Sequence, residues 1–74
     1  MKNGTINFIS KKLSKREMIE GIINGLSFTR DYKRKIISYC ISNNKDVKGV
    51  YNDFLKSKMT KKDRLFYLNK LVTL

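Results

Sequence analysis

Seventy-four residues suffice for one domain and leave no room for a second core. A hydrophobic share of 41% excludes a disordered tail, and no apolar run approaches the roughly 18–20 residues that a bilayer span needs. Seventeen Lys and Arg against six Asp and Glu leave a net charge of +11, which repels itself on so small a body and calls for a counter-charged partner.

The expected setting is soluble, cytoplasmic and reducing. Lys11 and Lys12 interrupt the first apolar stretch and no small-residue cleavage site follows, so no secretory leader is expected. A lone Cys40 excludes an intrachain disulfide. Abundant Lys, Asn, Ile, Tyr and Phe are what an AT-rich genome tends to yield, but that bias does not by itself remove carboxylates.

In chain order, residues 1–13 read as an extended arm, with a weak strand alternation from Thr5 to Ser10. Residues 14–74 then read as one helical domain, giving a mainly all-α fold of about four short helices. Ser14-Lys15-Arg16-Glu17 is an S-x-x-E capping box, and Met18, Ile19, Ile22, Ile23 and Leu26 follow at helical spacing. Gly25 is expected to close that helix. A second helix starts near Thr29, with Asp31 in its first turn and a buried stripe of Tyr32, Ile36, Ile37, Cys40 and Ile41. Asn43-Asn44 form a turn. Asp46 or Asn44 caps a third helix with the stripe Val47, Val50, Tyr51, Phe54 and Leu55. Thr60, with Asp63 three residues on, opens a fourth.

No catalytic apparatus is legible. There is no His, which removes the commonest general base and metal ligand, and one Cys cannot build a zinc site. Glu17, Glu20, Asp31, Asp46 and Asp63 all fall at helix starts, where a negative charge offsets the dipole. Asp53 lies mid-helix, where an i,i+3 pair with Lys56 accounts for it. Cys40 sits on an apolar stripe, as a small core residue does. No enzyme, metal or cofactor is expected.

The cations are spread evenly, with net charges of +3, +3, +2 and +3 over residues 1–28, 29–42, 43–60 and 61–74. They nevertheless gather at helix starts: Lys11, Lys12, Lys15 and Arg16; Arg30, Lys33, Arg34 and Lys35; Lys45 and Lys48; Lys61, Lys62 and Arg64. Cations there oppose the macrodipole and cost stability, a cost that a bound phosphate would convert into affinity. Residues 21–37 resemble a helix-turn-helix: Gly21 is the small residue for a close crossing, Gly25 the turn, and Tyr32 and Ile36 the anchors. The turn is one residue too long, and Asn24 stands where an apolar residue belongs. On this reading Thr29, Arg30, Lys33 and Arg34 face the major groove. A rival register turns Lys48, Asn52 and Lys56 outward instead.

The fourth helix is apolar nearly all round, and Phe66, Tyr67, Leu68, Leu71 and Leu74 are expected to offer a second face to another copy or a partner protein. The expected function is therefore that of a small DNA-binding accessory or regulatory protein, dimeric, of the kind mobile elements encode, with DNA preferred over RNA. The alternative is an inhibitor or adaptor that covers the acidic surface of a nucleic-acid-handling protein.

Overall fold

Each helix begins where a short polar side chain accepts a hydrogen bond from the backbone three residues on. Ser14 accepts from Glu17, Thr29 from Tyr32, Asp46 from Gly49 and Thr60 from Asp63. These caps set α1 (Lys15–Ile23), α2 (Arg30–Ser42), α3 (Val47–Lys56) and α4 (Lys61–Thr73). The capping box at Ser14 is complete: Glu17 N donates to Ser14 Oγ at 3.1 Å, and Ser14 N donates to Glu17 Oε1 at 2.9 Å. The computed structural model describes residues 12–74, among which there are four helices and no strand. The arm or strand expected over Thr5–Ser10 lies outside the described residues; Lys12 and Leu13, at the end of that segment, are non-helical and exposed.

The helix α1 is the centre of the domain, packed on by the other three. Its Ile19, Ile22 and Ile23 are buried against Ile36, Ile37 and Cys40 of α2, Val47, Val50 and Phe54 of α3, and Leu68 and Leu71 of α4, with Leu26 closing the cluster from the loop. Gly25 takes φ +87° just past the helix end, a left-handed position that glycine fills without strain. Asn44 does the same in the α2–α3 turn at φ +52°, while the Asn43 side chain donates to the Tyr39 carbonyl at 2.8 Å.

A core this small buries only one strip of each helix, and several expected stripes prove too wide. Tyr32, Ile41 and Leu55, each expected in a buried stripe, are exposed, and so is Leu65 on α4. The largest correction concerns α4. Leu68 and Leu71, expected on an association surface, are 3% and 0% exposed and belong to the domain's own core. Tyr67 is half-buried, its hydroxyl 2.9 Å from that of Ser57, so of the five expected association residues Phe66 (61% exposed) and Leu74 alone stand fully at the surface. Asp53 also differs from expectation. It pairs across to Lys70 of α4 at 3.4 Å rather than along its own helix to Lys56.

Candidate nucleic-acid interface

The cationic start of α2 is built by its cap. The Thr29 hydroxyl accepts from Tyr32 N at 3.2 Å, which fixes the first turn and sets Arg30 and Arg34 one turn apart on the same flank. That flank faces α1. Arg30, Lys33 and Arg34 line a cleft of about 250 Å³ together with Arg16, Glu20 and Asn24, over an apolar floor of Ile23 and Ile37. Arg16, Glu20 and Ile23 reach it because they recur at i, i+4 and i+7 along one strip of α1.

Glu20 is the single carboxylate in the cleft, and it is engaged: its Oε2 lies 3.9 Å from Arg16 Nε, with both side chains about half exposed. A pair in that setting contributes at most about 1 kcal/mol. Among the described residues none forms an ion pair with Arg30, Lys33 or Arg34. Four like charges converging on a concave site with one counter-charge is an arrangement that an anion entering the cleft would relieve. Guanidinium groups from two helices can also grip it bidentately.

The other expected residues divide into separate places. Lys12, Lys48 and Asn52 come together at a cleft of about 360 Å³ whose remaining lining is Leu13, Met18 and Tyr51. Lys61 and Lys62 border an apolar pocket, where Lys61 Nζ donates to Ser27 Oγ at 3.0 Å. Lys15 stands exposed at the first position of α1. Lys11 lies outside the described residues.

Arg64 is engaged within the domain itself. Its guanidinium donates to the Asn24 carbonyl at the end of α1 and lies 5.7 Å from the Phe54 ring centroid, so it braces α4 against α1 and α3. Thr29 likewise has its hydroxyl oxygen committed to the cap.

The glycines that suggested a helix-turn-helix serve other crossings. A Cβ on Gly21 would stand 3.1 Å from Tyr51 Cε1, so the close approach there is between α1 and α3, not α1 and α2. A Cβ on Gly25 would stand 2.9 Å from Arg64 Nη1, a group of α4. The link between α1 and α2, Asn24–Thr29, spans six residues against the three or four of that motif.

Cys40 is fully buried in the core, where desolvation pushes its thiol up more than nearby Lys45 draws it down. It is a packing residue. Among the described residues no group of His, Cys, Asp and Glu could hold a metal ion, and no helix is long and apolar enough to cross a membrane.

No family model matches this chain, and neither the curated proteins nor the solved structures give a match to it.

Proposed function

We propose that this protein binds duplex DNA through the cleft between α1 and α2, as a small accessory or regulatory factor. One observation carries the reading: Arg16 from α1 and Arg30, Lys33 and Arg34 from α2 line a single concave site that holds one carboxylate. Such a site is built for phosphate, and its arginines can reach base edges as well. Arg30 and Arg34 stand about 6 Å apart along the helix axis, close to two steps of a strand that rises about 3.4 Å per nucleotide. DNA is favoured over RNA because arginine side chains can reach base edges in the wide major groove of B-DNA, whereas the deep, narrow A-form groove hides those edges.

The test is fluorescence anisotropy with duplex DNA, single-stranded DNA and an RNA hairpin over a range of salt. Neutralising about four phosphates gives a slope of log K against log salt of about −3 to −4. Duplex binding with that slope, weakened when Arg30 and Arg34 become alanine, is the expected result. Binding to all three probes that ignores both substitutions would overturn the assignment of the cleft. Absence of any binding at low salt would move the +11 charge to the acidic surface of a protein partner.

A further inference from the structure

By the 3.6-residue repeat, Tyr32 and Tyr39 lie on the flank of α2 away from Arg30 and Arg34. Two apolar pockets lie along α4, the first shared with the Leu26–Phe28 loop that leads into α2 and the second shared with that flank of α2. One, of about 410 Å³, is floored by Leu26, Phe28 and Leu65 and bordered by Lys61 and Lys62. The other, of about 250 Å³, is formed by Ile36, Tyr39 and Val72 beneath Lys35. The Phe28 and Tyr32 rings meet edge to face at 4.9 Å, which carries the aromatic surface from the first pocket along α2 toward the second.

We infer that this α2–α4 side is a docking groove for an acidic amphipathic helix of a partner protein, gripped by apolar anchors one heptad apart. The spacing is the first ground. Leu65 and Val72, one in each pocket, are seven residues apart on α4. Tyr32 and Tyr39 repeat that interval on α2. Seven helical residues span about 10 Å, the interval between i and i+7 anchors on a helix laid in a groove.

The second ground is charge. Every charged residue lining the two pockets is a lysine (Lys35, Lys61 and Lys62), and no carboxylate lines either. A helix with Leu-type anchors and Glu on its flanks satisfies both the floor and the rim. A second copy of this chain does not, because it would bring another +11 to a lysine-rimmed face. Burying half-exposed Leu65 (42%) and Tyr32 (49%) supplies apolar area that the free protein leaves in water.

The probes are two labelled synthetic peptides of about 15 residues, one with Leu in heptad register and Glu on both flanks, the other of identical composition with the Leu positions permuted. Non-specific attraction to a basic protein is common to both, so the difference between their affinities is the readout. The registered peptide should bind about tenfold or more tightly than the permuted one, and Leu65→Ser should remove that advantage. Leu65 is exposed enough that the fold should persist, which circular dichroism checks. Arg30→Ala with Arg34→Ala should leave the advantage intact. Equal binding of the two peptides, or an advantage that survives Leu65→Ser, overturns the groove. So does an advantage lost with the arginines, which would place the peptide in the other cleft. Sedimentation showing a dimer that Leu65→Ser dissolves would give the groove to a second copy, and overturns the proposal equally.

Discussion

The two flanks of α2 carry cations in similar number and ask for different ligands. On the α1 side, Arg16, Arg30, Lys33 and Arg34 converge and the apolar floor is reduced to Ile23 and Ile37. On the α4 side, the lysines stand at the rim and the floor is aromatic and aliphatic. Net charge therefore says little about where a polyanion binds. What separates the flanks is their lining: guanidiniums that line one cleft can share a phosphate, whereas lysines around an apolar pocket can only frame something that fills it.

The largest effect should come from removing the core on which both flanks depend. Leu71→Ala should cost about 2–5 kcal/mol, comparable to the whole stability of a domain this small. Urea melting followed by circular dichroism would show it. An unchanged midpoint would mean that Leu71 is not the buried residue described here and would restore it to an association surface.

Next in size is the double substitution Arg30→Ala and Arg34→Ala. Each lost contact should cost about 1–3 kcal/mol in DNA affinity if it reads a base. Where the two arginines hold phosphates instead, the salt slope should fall by about 2. Lys48→Ala with Asn52→Ala should do much less; the reverse ranking would move the interface to the cleft beside α3.

A smaller effect is expected at Gly25. Alanine there must hold φ near +87° and crowd the Arg64 guanidinium, so Gly25→Ala should lose about 1–2 kcal/mol of stability. DNA affinity per folded molecule should be unchanged. A loss of affinity without loss of stability would show that the α1–α2 link itself touches the ligand.

The smallest effect belongs to Asp53→Asn. Its pair with Lys70 is exposed on both sides, so removing it should cost less than about 1 kcal/mol and still less at high salt. A larger cost would mean that α3 and α4 are held together by charge more than by Phe54 and Leu68.

The helix starts were legible in the sequence because capping is local. Ser14, Thr29, Asp46 and Thr60 each find their hydrogen-bond donor three residues away, and no tertiary contact is needed to identify them. The flanks were not legible to the same degree. Periodicity places Leu65 and Leu68 on similar stripes, but which of them is covered depends on how α4 packs on the rest of the domain, and Leu68 is the one buried. The same limit hid the cleft. Arg30, Lys33 and Arg34 were recognisable as a group, whereas Arg16 joins them only once α1 and α2 pack. Lys70 answers Asp53 from 17 positions away, beyond the reach of any local pairing rule.

Cys40 turns this core into its own clock. The thiol faces none of the solvent, and its pKa stands above the ordinary 9.0 because burial disfavours the thiolate. The folded state therefore favours the neutral form. That contribution to stability is full below the unfolded thiol's pKa and is lost as pH rises through the higher folded one. At neutral pH a thiol reagent can reach the sulfur only when the core around α2 opens, so the labelling rate reports that opening. A ligand seated on either flank of α2 holds that helix down and slows labelling by the factor by which it is bound. A single native thiol thus reports occupancy of two surfaces whose linings do not include it.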